Sequence, residues 1–298
     1  MKKILVSGLV NIETTSRVRK FPIDYYPVDY PFFGIGTAVS GVAYNIALAM
    51  NMLGNEVRLL SMTGADFPAE YIRSELHRAG IGAEHLKAKL KETPNSVVLY
   101  DETGRRQIYC DLKDIQDTAY DFVPEQVADA DIVVACNINF NRELLHLAKQ
   151  LGKTVATDVH VLGNIHDEYN REFMECADIL FLSDEAVGDD PCRFLEELEK
   201  TYHTPIIVMG RGSKGALMYL RGENRYCQIP AAHAGKVVNT IGAGDALFSA
   251  FLHYYAKGYD PVACLKRAVV FAAAKIRVSG ASRGFVSESE VEEMLSWN

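Results

Sequence analysis

The feature that most constrains this chain is a regular alternation of short apolar runs with amphipathic stretches. Runs such as "KILVSG", "DIVVAC" and "DILFLS" are typical of buried strands, whereas "PCRFLEELEKTY" has the 3.6-residue period of a helix. The connections are short, and alternation of this kind favours a mostly parallel sheet with helices on both faces. We therefore predict an α/β fold, a three-layer α/β/α sandwich.

Two extended segments, roughly 12–36 and 95–116, stand outside this alternation. The second contains "SVVLYDETGRRQIYC", a pattern that predicts a hairpin, and the first carries aromatic side chains among prolines. We expect both segments to leave the central sheet on the same side and to form a small β-sheet lid. Because no linker or internal repeat divides the chain, residues 1–298 are predicted to form a single domain.

The aromatic cluster at residues 21–33 is too apolar to be left in water. It could stack on a nucleobase or pack against a second subunit. Open β-lids leave edges and apolar faces that proteins tend to cover, so the pattern favours a homodimer formed through the lid.

Charge and composition exclude several classes of partner. The net charge is −8 and the pI is about 5.5, with no basic block, which argues against nucleic acid as a main partner. The cysteines are far apart and lack the spacing of a zinc or redox site. No run approaches the ~18 apolar residues of a membrane span, and "MKKILVSGLV" is not followed by a cleavage pattern. A cytoplasmic protein without a membrane partner is expected.

The stretch "KVVNTIGAGDALFSAF" carries the chemistry. "KVVN" is predicted to be a short strand, and the residues after Gly242 open a helix whose first N–H groups are unpaired. Because Gly242, Ala243 and Gly244 have little or no side chain, an anion can approach those N–H groups closely. Asp245 would then be placed to accept a proton from a hydroxyl that attacks a bound phosphoryl group. On these residues alone, a tight turn followed by a favourable N-terminal charge explains the pattern equally well.

Four motifs, in order along essentially the whole chain, resemble the ribokinase-like (PfkB) family of sugar and nucleoside kinases. The family's D-T-x-G-A-G-D is matched by Asn239-Thr240-Ile241-Gly242-Ala243-Gly244-Asp245. "SGVAYNIALAMNMLG" resembles its N-terminal glycine motif, "LLSMTGADFPAEYIRSELHRAGI" its glycine–aspartate segment, and "IIVMGRGSKGAL" its strand followed by G-x-x-G. The family also builds a β-lid from the positions of the two extended segments.

The resemblance implies a mechanism and a set of site residues. ATP with Mg²⁺ would be the phosphoryl donor. Asp245 would be the general base that takes the proton of the acceptor hydroxyl, and the N–H groups of residues 242–244 would stabilise the migrating phosphoryl group. The remaining assignments are Asn11, Glu13, Gly41 and Asn45 for the acceptor; Thr240, Gly212, Gly215 and Gly280 for the nucleotide; and Asp158 and Glu185 for Mg²⁺.

Several residues depart from the family pattern. Glu13 replaces Asp in the acceptor pocket, and Ser40 replaces the first Gly of a glycine pair. Asn239 stands where many members have an Asp that helps to form a monovalent-cation site, which puts activation by K⁺ in question. "LSDEA" matches the family's N-x-x-E segment only loosely, and His160 replaces Asn in D-x-N.

The function predicted from the sequence is ATP-dependent phosphorylation of a hydroxyl on a sugar or sugar-like molecule. One alternative is a nucleoside acceptor on the same fold. Another, of a different class, is a non-catalytic ligand-binding or regulatory protein. A dinucleotide-dependent oxidoreductase is disfavoured, because "SGLVNIE" lacks the glycine spacing that such enzymes need after the first strand.

Overall fold

The structure is a computed structural model that describes residues 1–233 and 235–296. In those ranges the chain forms thirteen strands: β1 (Lys3–Ser7), β2 (Asn11–Arg17), β3 (Ile35–Ser40), β4 (Glu56–Thr63), β5 (Leu86–Ala88), β6 (Asn95–Tyr100), β7 (Arg106–Asp111), β8 (Ile132–Ala135), β9 (Thr154–Val161), β10 (Ile179–Ser183), β11 (Ile206–Gly210), β12 (Ala216–Leu220) and β13 (Arg225–Ile229).

Nine α-helices are found in the same ranges: α1 (Val42–Met52), α2 (Phe67–Arg78), α3 (Pro124–Ala128), α4 (Asn141–Gln150), α5 (Arg171–Cys176), α6 (Pro191–Tyr202), α7 (Ala243–Ala256), α8 (Pro261–Lys275) and α9 (Glu288–Leu295). Helix α6 spans the whole stretch predicted for it. Pro191 occupies its first turn, and the Asp190 side chain accepts a hydrogen bond from the Arg193 N–H at 3.0 Å, which caps this end.

Nine strands form one large sheet in the order β13-β12-β11-β10-β9-β8-β1-β4-β5. From β11 to β5 every neighbouring pair is parallel, and β12 and β13 are added antiparallel at one edge. The predicted mostly parallel sheet is therefore confirmed. Because the parallel strands end at the same edge, the residues that follow β1, β8, β9, β10 and β11 meet there.

Side chains from the two faces of this sheet enter two separate apolar clusters. On β1, Ile4 and Val6 join one cluster and Leu5 joins the other, as the alternation of a strand requires. The first cluster contains residues of α1, α7 and α8, and the second contains residues of α4, α5 and α6. The three-layer arrangement follows from these two cores.

The extended segments supply a second, smaller sheet of four strands in the order β3-β2-β6-β7. Strands β2 and β3 are antiparallel, β2 and β6 are parallel, and β6 and β7 form the predicted hairpin. Between β2 and β3, residues 18–34 have no helix or strand. This small sheet carries two of the predicted acceptor residues, Asn11 and Glu13, on β2.

The prediction of a strand at "KVVN" is wrong. Residues 236–239 lie in a loop, and the backbone N–H groups of Val238 and Asn239 both donate to the carbonyl oxygen of Ile276, at 2.9 and 3.2 Å. The polar backbone is thus satisfied by the end of α8 instead of by a neighbouring strand. As a result, the loop before α7 is attached to α8.

Candidate active site

The start of α7 is an open helix terminus with two glycines, Gly242 in a crowded turn and Gly244 facing open space. Gly242, the residue before the helix, has a left-handed backbone with φ 78°, and a Cβ there would lie 2.6 Å from the Ala281 carbonyl oxygen. At Gly244, by contrast, a Cβ would meet nothing within 4 Å. No side chain from the described part of the chain caps this terminus. Small anions bind at helix ends of this kind because their N–H groups and the helix dipole face outward.

Asp245 lies in the first turn of α7, beside this terminus. Its Oδ2 accepts a hydrogen bond of 2.8 Å from the Asn45 amide, which α1 contributes from the other side of the site. Although solvent still reaches part of the side chain, surrounding protein desolvates the carboxylate and raises its pKa to about 6. His160 acts in the opposite direction, as do the Asn45 hydrogen bond and Lys275. A carboxylate in this range is suited to general-base catalysis near neutral pH.

The end of β9 places Asp158 and His160 next to Asp245. Asp158 is buried, and one of its carboxylate oxygens accepts the His160 backbone N–H at 2.8 Å. His160 itself has a left-handed backbone with φ 57°, which is uncommon for a residue with a Cβ. The charges of both side chains reach Asp245. The sequence-predicted residues Asp158 and Asp245 are therefore in one site.

Buried hydrogen-bond acceptors line the side of the site formed by β2 and α1. Asn11 donates its amide to Ser96 Oγ at 3.1 Å, but its buried carbonyl oxygen has no partner in the described residues. The amide oxygen of Asn45 is likewise unpaired. Because unpaired buried oxygens are costly, these positions suit a ligand that brings hydroxyl donors.

Glu13 is also part of this wall. Burial raises the pKa of its carboxyl group, while the Ser40 hydroxyl, which donates to it at 3.3 Å, and the charge of Lys275 act against this shift. Ser40 and Glu13 both depart from the family pattern, and the Ser40 hydroxyl holds the Glu13 carboxylate in place.

Gly41 has a structural reason to be glycine. It precedes α1 with φ 105°, and a Cβ would lie 2.5 Å from the Leu9 carbonyl oxygen. That same oxygen accepts the N–H of Ala43 at 3.1 Å, which sets α1 on the loop after β1. This close approach positions Asn45 one turn further along the helix.

The residues predicted to bind the nucleotide fall into two groups. Thr240 and Gly280 belong to the segments around the α7 terminus: the Thr240 carbonyl accepts the Ala243 N–H at 3.2 Å, and the Gly280 carbonyl accepts the Lys275 ammonium at 2.6 Å. Gly212 and Gly215 lie in the turn between β11 and β12, where Gly212 faces open space. A Cβ at Gly215 would be 2.0 Å from the Ile229 carbonyl oxygen, so backbone packing explains that glycine.

The two predicted Mg²⁺ ligands belong to neighbouring parallel strands or to the turn that follows one of them. Asp158 is in β9, and Glu185 lies in a short 3₁₀ turn, Asp184–Ala186, after β10. Glu185 is exposed, and its side chain makes no hydrogen bond or ion pair within the described residues. In residues 1–233 and 235–296, no group of three or more His, Cys, Asp or Glu side chains could hold a metal by itself.

Lys275 is the site residue that sequence reasoning missed. It ends the apolar run "VVFAAAK" on α8, where a lysine is typical of an exposed cation at a helix C-terminus. In the structure the side chain is instead fully buried beside the α7 terminus. The signal available in the sequence was its place in an otherwise apolar run.

The comparison with family models decides the identity of this arrangement. Residues 1–288 match the model of the pfkB family carbohydrate kinases. The chain belongs to this family. It is accordingly a phosphotransferase with an alcohol group as acceptor, and the resemblance inferred from the four motifs is confirmed.

Relatives span the full chain at low identity. A nucleoside kinase of Methanocaldococcus jannaschii is 24% identical over 99% of this chain and 97% of its own. A fructosamine kinase of Bacillus subtilis is 25% identical over 87% and 89%, respectively. Among solved structures, a microbiome-derived acarbose kinase superposes with a TM-score of 0.89 at 24% identity, covering 99% of both chains. The pfkB fold is therefore shared with enzymes named for very different acceptors.

Within residues 1–233 and 235–296, no helix is both long enough and apolar enough to span a bilayer.

Proposed function

We propose that this pfkB-family kinase transfers the γ-phosphoryl group of ATP to a hydroxyl of a sugar or sugar-like molecule, with Asp245 as the general base. The observation that carries the proposal is the position of Asp245. Its carboxylate lies in the first turn of α7, beside an uncapped helix terminus, and is oriented by Asn45 at 2.8 Å. This places a base next to a site for the transferred phosphoryl group, as the reaction requires.

The phosphate site is proposed at residues 242–244. The Ala243 N–H is partly engaged with Thr240, whereas the space over Gly244 is open, so an oxyanion can approach the helix terminus. Thr240, Gly280 and Gly212 are proposed to contact the nucleotide. Gly215 is assigned to the same turn, where it allows the chain to pass close to Ile229.

Mg²⁺ fits the proposed site as an ion held mainly by phosphate oxygens and one or two carboxylates. Asp158, within β9, and Glu185, just after the adjacent strand β10, are the residues that would hold it. When bound, the ion would neutralise charge that develops on the phosphoryl oxygens. Asn239, which stands where many members have a cation-site Asp, accepts the Ile241 N–H with its side-chain oxygen at 2.7 Å. Activation by K⁺ is tested by the assay below.

The acceptor is proposed to lie between β2 and α1. This wall offers hydrogen-bond acceptors: the unpaired amide oxygens of Asn11 and Asn45 and the carboxylate of Glu13. Hydroxyl groups of the acceptor would donate to them. Gly41 sets the backbone that brings α1 to this wall. A nucleoside is the second candidate acceptor, because the M. jannaschii relative that spans the whole chain is named a nucleoside kinase.

Formation of ADP should be measured with ATP and Mg²⁺ against pentoses, hexoses, amino sugars, sugar phosphates and nucleosides, with and without K⁺. One class of acceptor should raise turnover well above the rate with water alone, and that class would decide between sugar and nucleoside. If every acceptor left turnover at the water rate although ATP bound, transfer to these sugars and nucleosides would be contradicted. Either the true acceptor lies outside the panel or the alternative of a ligand-binding protein holds.

We also propose that two copies associate through the small sheet. Large apolar side chains on residues 18–35 are open to solvent, including Tyr25 (88% exposed) and Phe32 (76% exposed). Patches of this kind on a folded protein usually mark a contact surface. The small sheet would then act as a lid that covers bound acceptor and keeps water out of the transfer step.

A further inference from the structure

Lys275 is a buried cation that the proposed mechanism does not use. It is the last residue of α8, and none of its surface is exposed. Removing an ammonium from water is costly unless nearby dipoles or charges replace its hydration. Its Nζ donates to the Gly280 carbonyl oxygen at 2.6 Å. Within the part of the chain that the structure describes, no carboxylate lies within 4.0 Å of it, so its charge is not consumed by a direct ion pair.

The stem of this lysine lies against the turn that begins α7. A Cβ at Gly242 would be 3.0 Å from Lys275 Cε, so a glycine is needed there for the two segments to meet. Through its hydrogen bond to Gly280, the lysine also fixes the loop after α8. Ala281, the next residue of that loop, contacts Gly242 as well. Lys275 therefore connects the end of α8, the following loop and the helix terminus that would bind phosphate.

The charge of Lys275 acts on both carboxylates that the proposed reaction uses. It lowers the pKa of Asp245 and the pKa of Glu13, each of which is raised by burial. In return, the two carboxylates raise the pKa of Lys275, which burial brings down to about 8. The other titratable groups that face Asp245 are Asp158 and His160 at the end of β9 and Cys136 after β8.

We propose that Lys275 is a positioning residue of the phosphoryl-transfer site. Its bond to Gly280 holds the loop after α8 against the Gly242 turn, and its buried charge opposes the effect of burial on Asp245. The proposal rests on the function proposed for Asp245. It adds that the active site contains its own cation, attached to the chain, against the turn that begins α7.

The direct test is the titration of Asp245 in three proteins: the parent, Lys275→Met and Arg267→Met. Methionine is close to lysine in length and carries no charge. Arg267 is a matched control on the same helix, since its guanidinium is paired with Glu292 at 2.7 and 3.0 Å. ¹³C NMR of protein labelled at aspartate carboxyl carbons follows the titration without any acceptor, and Asp245→Asn assigns the signal.

In Lys275→Met the midpoint for Asp245 should rise by up to about one pH unit, and in Arg267→Met it should stay at the parental value. Loss of the bond to Gly280 should also loosen the loop after α8, so the melting temperature of each variant is measured beside the titration. An unchanged midpoint in Lys275→Met would overturn the proposal, whatever its melting temperature.

Turnover with the acceptor found above separates this inference from the proposed function. At about pH 6.5, kcat of Lys275→Met should drop by up to about threefold, with the acceptor KM within about twofold of the parent, while kcat of Arg267→Met is retained. A parental kcat in Lys275→Met, with Asp245→Asn inactive, would overturn the role of Lys275 alone. Full activity in Asp245→Asn would instead overturn the role of Asp245 as base.

Discussion

At the scale of single residues, the site depends on carboxylates that the protein makes less acidic than usual. Desolvation dominates at Asp245 and Glu13, and in both cases a neighbouring amide or hydroxyl and the ammonium of Lys275 oppose it. A base with a pKa near the working pH accepts a proton more readily than an ordinary aspartate, which is already a weak base at neutral pH. At Asp245 the strength of the base therefore depends on the balance between burial and the groups that oppose it, which are His160 first, then the Asn45 amide and Lys275.

This balance predicts the acid limb of the pH–rate profile. Only ionised Asp245 can act as a base, and its pKa is about 6. We expect kcat at saturating substrate to be half-maximal at about pH 6 and to fall about tenfold for each further pH unit. An ordinary aspartate would instead give a flat rate down to about pH 5. Measuring kcat between about pH 5 and pH 8 distinguishes the two, and a flat profile would contradict the assignment.

The raised pKa of Asp245 also makes the free energy of unfolding depend on pH. Because the folded-state pKa of Asp245 is raised from 3.8 to about 6, the folded protein binds a proton more tightly than the unfolded chain does. This carboxylate therefore lowers the free energy of unfolding as pH rises through that window.

At the scale of elements, the beginning of α7 shows what a sequence can and cannot specify. The glycine turn, the aspartate in the first helical turn and the helix itself were predicted, because small residues followed by an apolar run are typical of a helix start. The anion site was not decided by these residues, since a tight turn explains them equally well. The strand predicted at 236–239 was not found, because its N–H groups bond to Ile276, a residue distant in sequence. Lys275 was missed for a related reason: whether a lysine near a helix end is solvated or buried depends on the loop that folds over it.

The two glycines at this terminus should respond differently to alanine. Gly242→Ala places a Cβ 2.6 Å from a carbonyl oxygen on a left-handed backbone, so we expect the free energy of unfolding to fall by about 2–4 kcal/mol. Gly244→Ala meets no protein atom within 4 Å and should leave stability unchanged or slightly higher. Its methyl group would nevertheless lie over the phosphate site, and we expect kcat/KM to fall by about tenfold or more.

Chemical denaturation and steady-state kinetics of both variants test this pair. Parental stability in Gly242→Ala would show that the turn can relax. Parental kcat/KM in Gly244→Ala would show that phosphate does not approach the helix there.

At the scale of the whole molecule, the two sheets carry different parts of the proposed site. The large sheet and its helices position Asp245, Asp158 and the helix terminus, while the small sheet contributes Asn11 and Glu13 from β2. The alternation of strands and helices was sufficient to predict the large sheet. The acceptor could not be predicted, because relatives with the same fold and similar identity are named for a nucleoside and for a fructosamine. Under the proposed assignment, acceptor choice depends on side chains of β2 and α1 and not on the architecture.

The exposed aromatic side chains of residues 18–35 predict an assembly. Sedimentation velocity of the parent should show a dimer, and Phe32→Asp should shift it toward monomer because a charge would be buried in the interface. Met52→Asp, at a half-exposed position on the last turn of α1, is the control and should keep the parental mass. A monomeric parent, or a dimer that Phe32→Asp leaves intact, would contradict association through residues 18–35.

The most direct test of the account is the loss of turnover in Asp245→Asn. The amide preserves the shape of the side chain but cannot take a proton. With the acceptor found in the panel, we expect kcat to fall by about a thousandfold. The melting temperature should stay the same or rise, since a desolvated carboxylate has been removed. Asp189→Asn, at an exposed position, is the control and should retain the parental rate. A parental kcat in Asp245→Asn would contradict the account, because the reaction would then proceed without the base on which it rests.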